Sequence, residues 1–265
     1  MTNSHTHHDN GISFESLLAI SFILAIAVYI FASILSGHRN KPWPLYRTAF
    51  WILGVLCMAS AVVGPLADLA HKNFLAHMLV HLLLGMLSPL LVVFSAPMTL
   101  LLRTINVTLA RRISSLLKSW PVRMYTDPIV ASTLNVGGLW LLYTTNLYSI
   151  MHQSMLVYVL IHIHIFFAGY LFAIAFIDID PKPHKSSFIY RTAVLVLALA
   201  AHGILSKNIY ANPPGNVPVH QAETGAMLMY YGGDLIDACL IIGLCYQWFK
   251  SSRPSSSESN SALNT

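Results

Sequence analysis

Apolar and polar positions alternate along this chain on a coarse scale. Seven apolar stretches, at about 14 to 36, 48 to 66, 77 to 102, 128 to 147, 154 to 177, 190 to 207 and 224 to 249, are separated by short polar segments. Each is near the roughly 20 residues an α-helix needs to cross a bilayer. The pattern predicts seven helices, an all-α integral membrane bundle over residues 14–250. A polar, histidine-containing outer segment (1–13) precedes it, and a Ser-rich tail (251–265) without apolar period reads as disordered. The first apolar run lacks a basic leader and a small-residue cleavage motif, so it reads as a retained helix. Asp127 before Pro128 marks a helix start, and "NPPGNVP" at 212–218 marks an irregular loop.

Composition agrees: 55% of the 265 residues are hydrophobic and 9% charged, with a mean hydropathy of +0.62. Those values lie outside the range of soluble domains. Cys57, Cys239 and Cys245 fall inside apolar runs without paired spacing, which speaks against a disulfide framework or a cysteine zinc site. The net charge of +5 does not call for nucleic acid, because its distribution reports topology. Arg39, Lys41 and Arg47 follow the first run; Arg103, Arg111, Arg112, Lys118 and Arg123 the third; Lys182, Lys185 and Arg191 the fifth; Lys250 and Arg253 the last. The alternate loops hold only Lys72 and Lys207. The positive-inside rule then predicts an outer N-terminus and a cytoplasmic C-terminus. The segment "RTINVTLARRISSLLKSW" (103–120) reads as an interfacial helix or a docking surface.

Thirteen histidines are an unusual count for so apolar a chain. "HMLVH" puts His77 and His81 four residues apart, on one helical face. On the predicted topology these two lie at the outer end of helix three. His162 and His164 lie about 12 to 15 Å down helix five, and His202 roughly 8 Å from the outer end of helix six. Asp234 and Asp237 sit about halfway along helix seven. All fall in the outer half of the membrane, where ionisable groups face a bundle interior or a functional cavity. Imidazole with carboxylate describes a transition-metal site, and copper, zinc, iron and nickel are all compatible. The bland reading is histidines satisfied by interhelical hydrogen bonds. In "HIH" the two side chains are about 200° apart, so one of them is a supporter or an interhelical donor. Asp234 is nearer the site than Asp237; either can instead orient a histidine. Met78, Met227 and Met229 are packing residues that can also serve as soft ligands. "SHTHH" (4–8) is a weak metal-catching tract. His71, His152 and His220 belong to outer loops that could guide metal inward, though they read more simply as solvated loop residues. "HMLVH" has the spacing of the zinc-protease motif, but Met78 stands where the general base belongs.

Several stretches resemble the bacterial CtaG family of cytochrome c oxidase assembly factors: "HMLVHLLLGMLSPLLVVFSAPMTLLLR" (77–103), "HIHIFFAGYLFAIAFIDIDP" (162–181), "AAHGILSKNIYA" (200–211) and "GGDL" (232–235). The family's pattern falls on His77, His81, Ser88, Pro89 and Pro97, on His162, His164, Gly169, Tyr170, Asp180 and Pro181, and on Asp234. The resemblance implies a metallochaperone of the bacterial inner membrane, not an enzyme. Copper, as Cu(I), would be held by His77, His81, His162, His164, His202 and Asp234. It would pass to the oxidase subunit that carries the copper B centre, after delivery by a periplasmic donor. A homo-oligomer is compatible; nucleic acid is not implied. The competing functions are a haem-binding electron-transfer protein, a copper or zinc transporter, and a structural membrane subunit whose polar residues only join helices.

Overall fold

The computed structural model describes residues 14–39, 42–181 and 186–252. The "SHTHH" tract, Lys182, Lys185 and nearly all of the Ser-rich tail lie outside the described residues. Among those described there is helix and no strand. The long helices are α1 (Phe14–Arg39), α2 (Leu45–Val62), α4 (Phe74–Phe94), α10 (Met155–Phe176), α11 (Phe188–Ala211) and α12 (Val219–Ser251). All six are long and apolar enough to cross a membrane, the mark of a multi-pass membrane protein. Shorter helices are α3 (Pro65–Ala70), α5 (Pro97–Thr104), α6 (Val107–Leu117), α7 (Trp120–Tyr125) and α9 (Leu147–Gln153). The region expected to supply the remaining crossing is α8, residues 128–144. It is broken into Pro128–Ser132, a π turn Thr133–Gly137 and Gly138–Thr144, so among the described residues six rather than seven helices meet the length requirement. The run nonetheless passes from one end of the bundle to the other. At its start Asp127 accepts a hydrogen bond of 3.1 Å from the Tyr190 hydroxyl, beside the start of α11; near its finish Tyr143 meets His77.

α4 is the most enclosed element. Asn73 caps its N-terminus by accepting from the Ala76 N–H at 3.2 Å, and the Gln221 side chain accepts from Phe74 N–H at 3.0 Å. Directly after His81 the helix widens into a π turn, Leu82–Leu87. Such turns leave carbonyls displaced from the regular ladder and concentrate at functional sites. Here the widening accompanies very close contact: a Cβ on Gly169 of α10 would collide with the Gly85 carbonyl oxygen. Only two glycines let these backbones touch. Below the turn, Ser88 Oγ donates to Gly54 O of α2 at 2.8 Å.

α1 lies at the periphery with Leu17, Ile23, Leu24 and Phe31 exposed. It is held through Tyr29, which stacks on Trp51 at 4.6 Å and donates to the Ser95 carbonyl at 2.6 Å. The amphipathic helix α6 buries no residue, in keeping with an interfacial position.

Polar side chains collect at two ends. One, the arginine end, holds Arg47, Arg191, Asp178 and Asp180. Asp180 accepts from Met98 N–H (3.1 Å), Thr99 N–H (2.8 Å) and Thr99 Oγ1–H (2.7 Å), which caps α5. Arg191 donates to Asp178 at 2.6 Å and to Phe176 O at 3.1 Å. The other, the histidine end, carries the candidate site.

Candidate functional site

His77 and His81 are each 3% exposed and lie one turn apart on α4, as their spacing predicts. Their surroundings differ. His77 Nε2 shares a hydrogen bond of 3.0 Å with the Tyr143 hydroxyl of α8 and packs edge-on to Tyr148 at 5.2 Å. His81 turns toward α11, where the ring of His202 stands 6.3 Å away between centroids. Neither Nδ1 nor Nε2 of His81 has a hydrogen-bond partner, and His202 Nε2 has none either; all three atoms are buried. An unpaired buried polar atom costs about 1 to 3 kcal/mol, so three together mark a place built for something other than stability. Trp140 Nε1 of α8 donates to Ala201 O at 3.3 Å, fixing α11 beside this pair. Gly233 of α12 allows the approach, since a Cβ there would stand 2.7 Å from His202 Cε1 and 3.7 Å from Met86 Cε. Met86, inside the π turn, brings its side-chain methyl toward the same glycine. Of the three methionines expected as packing residues or soft ligands, Met78 and Met229 are fully buried and Met227 is exposed.

The "HIH" pair separates as the helical angle requires. His162 is buried, its Nδ1–H donates to Tyr158 O at 2.8 Å, and its ring lies 3.9 Å from that of Tyr158. His164 points elsewhere: its Nε2–H donates at 3.2 Å to Leu134 O, a carbonyl in the second π turn. His164 is an interhelical donor to α8, away from the other imidazoles. Asp234 is exposed, although the preceding Gly233 touches His202, whereas Asp237 is 6% exposed. Asp237 lines a cavity of about 20 Å3 with Asn135, Met86 and Gly85, which is room for one water molecule.

His71 and His152 are exposed, as their outer-loop positions predict, and stand together at the site's mouth. His152 lies 6.2 Å from His77 and 6.1 Å from His71, and His71 stacks on Tyr158 at 4.6 Å. Burial, and secondarily the neighbouring His71, hold the His152 imidazole below its ordinary pKa. An open cavity of about 300 Å3 between His71, Asn73, Tyr148, His152, Asn216 and Gln221 adjoins them. Residues 71 and 152 are 81 apart in sequence and neither sits in a periodic run, so no local pattern announced them. Among the described residues no three His, Cys, Asp or Glu side chains converge closely enough to hold a metal ion. The six expected ligands therefore divide: His81 with His202, with Asp234 near enough for its charge to act on His202; His77 with His162 and the mouth; His164 apart.

The chain is similar to uncharacterised proteins of Mycobacterium bovis and Mycobacterium tuberculosis, each 27% identical over 196 residues, and to one of Mycobacterium leprae at 24%. Each alignment covers 71% of this chain and 30% of the relative, so the chain spans about a third of the length of the curated relatives it matches. No solved structure matches. Residues 27–251, which include every histidine of the site, match the family described as cytochrome c oxidase caa3 assembly factor, Caa3_CtaG, and the chain belongs to that family.

Proposed function

We propose that this protein is a non-catalytic assembly factor of the bacterial inner membrane. In this reading it binds copper as cargo near the outer face and gives it to the oxidase subunit that carries the copper B centre. The observation that carries the reading is the set of three unpartnered imidazole nitrogens on His81 and His202. Imidazole is a good ligand for copper, and a thioether such as that of Met86, whose methyl approaches the same Gly233, favours the cuprous ion. Two facing imidazoles leave a carrier's cargo under-coordinated. That suits transfer better than a closed cage of four ligands does.

The mouth of His71 and His152 gives a periplasmic donor a place to deliver, with His77 next inward. Seven crossings, with the N-terminus outside, are supported by the end-to-end path of α8 and by the thirteen-to-two partition of basic residues. The arginine end would then be cytoplasmic. Transport through the bundle is disfavoured because Asp178 and Asp180, the carboxylates at that end, are engaged with Arg191 and the α5 cap. Haem binding is disfavoured because Gly233 of α12 closes against His202, where a macrocycle would have to pass.

The test is elemental analysis with an ultraviolet-visible spectrum on detergent-purified protein supplied with copper under reducing conditions. Wild type is expected to hold near-stoichiometric copper without a Soret band, and the His81→Ala/His202→Ala variant to lose it while staying folded. Unchanged copper in the variant removes the site; a Soret band in wild type favours haem.

A further inference from the structure

A cavity of about 750 Å3 opens at the arginine end between α2, α11 and α12, far from the histidines. Its wall carries three cations, Arg47, Arg191 and Lys250, against one carboxylate, Asp178. Asp178 is already paired with Arg191 at 2.6 Å. Arg191 is 9% exposed, and its Nε is buried without a hydrogen-bond partner. Arg47 lies over the Trp43 ring at 4.9 Å, a contact that orients the guanidinium without neutralising it. Among the described residues neither Arg47 nor Lys250 has a carboxylate partner. The rim is aromatic: Tyr46, Tyr246 and Trp248 are exposed, and Trp248 stacks on Phe188 at 5.0 Å. Tyrosine and tryptophan at the end of apolar helices mark the level of the lipid headgroups. Exposed Leu45, Leu53 and Phe249 flank the cavity with lipid-facing surface.

Excess positive charge in a recess between membrane helices, at headgroup level, is the setting in which phosphate-bearing headgroups are recognised. We infer that this cavity seats the headgroup phosphate of an anionic phospholipid, held by Arg47 and Lys250 beside the Arg191 guanidinium, with its acyl chains along α2 and α12. A soluble phosphate offers the same charge. The lipid is favoured because the recess opens beside apolar surface and an aromatic rim.

The experiment is native mass spectrometry of the full chain in detergent with equimolar phosphatidylglycerol and phosphatidylcholine. Wild type is expected to retain the anionic lipid in preference, and each cation removed should weaken retention roughly fivefold. Arg47→Gln/Lys250→Gln is the test variant, since Arg191 also holds the fold; Arg111→Gln/Arg112→Gln on α6 is the control and should keep the preference. Equal retention of both lipids by wild type, an unaltered preference in the test variant, or an equal loss in the control overturns the assignment. So does glycerophosphoglycerol or inorganic phosphate displacing the lipid at similar concentration, which would identify a soluble phosphate instead. Copper content of the test variant is expected to equal wild type, so this site and the histidine site stand or fall separately.

Discussion

The two polar ends of the bundle are built on opposite principles. At the arginine end most polar groups have partners within the protein: Asp180 accepts three hydrogen bonds, Arg191 pairs with Asp178 and a carbonyl, and Gln247 accepts from Asp178 N–H at 2.9 Å. At the histidine end His81 and His202 are enclosed equally well and left open. Burial is common to both ends; what separates them is that the carboxylates of the first are satisfied within the protein, whereas the imidazoles of His81 and His202 are not. A satisfied network fixes helices in place, whereas an unsatisfied one lowers stability and keeps donor atoms available to a visitor.

That contrast can be broken most severely at Asp178. Asp178→Ala leaves the guanidinium of Arg191 uncompensated, with the two side chains only 21% and 11% exposed, and should cost about 3 to 5 kcal/mol. A fall in folded yield and thermal midpoint, with copper per folded molecule unchanged, is the expected result. Gly169→Ala forces a methyl into the Gly85 carbonyl and should cost about 1 to 3 kcal/mol, read in the same thermal assay. If it is tolerated, α4 and α10 are not locked together as described.

His81→Leu should do the reverse of Asp178→Ala. Removing two unpartnered nitrogens should leave stability level or raise it by about 1 kcal/mol while copper is lost; a marked destabilisation would show that His81 has a structural partner. His164→Ala should lose one interhelical hydrogen bond, about 0.5 to 1.5 kcal/mol, and keep its copper, whereas His162→Ala should weaken copper uptake.

The smallest effect concerns pH at the mouth. The pKa of His152 is depressed from 6.5 in the folded state by burial and by His71. The stability this group contributes is therefore complete above about 6.5 and is lost as pH falls through the lower folded value. The thermal midpoint should decline on acidification below 6.5, and His152→Asn should flatten that decline. A pH response identical to wild type would remove His152 from the cluster.

The helices were legible in the sequence because length and apolarity alone define a crossing. The spacing of His77 and His81 and the divergence of His162 from His164 followed from a period of 3.6 residues. The π turns were not legible: "LLLGML" and "TLNVG" carry no signature that distinguishes a wide turn from an α-helical one. They decide much of the site, since Met86 and the carbonyl that holds His164 both lie in them. Preferring Asp234 to Asp237 assumed a regular approach of α12 to the histidines. In the bundle Gly233 makes that approach, and the two carboxylates turn to opposite degrees of exposure. His71 and His152 were beyond a linear reading because their meeting depends on α3 and α9 closing over the start of α4.

The π turn after His81 also sets the phase of everything that follows it in α4. Eleven residues separate His77 from Ser88, and in an unbroken α-helix they would lie about 20° apart around the axis, in one column with His81. In the structure Ser88 instead reaches Gly54 of α2, while the histidines address α8 and α11. The wide turn works as a quarter-turn in a ribbon: it lets one helix present imidazoles to one set of neighbours and a hydroxyl to another. Deleting a single residue between 82 and 87 would leave ten steps from His77 to Ser88, about 80° apart around a regular helix, so the wide turn would close while Ser88 kept its place against Gly54.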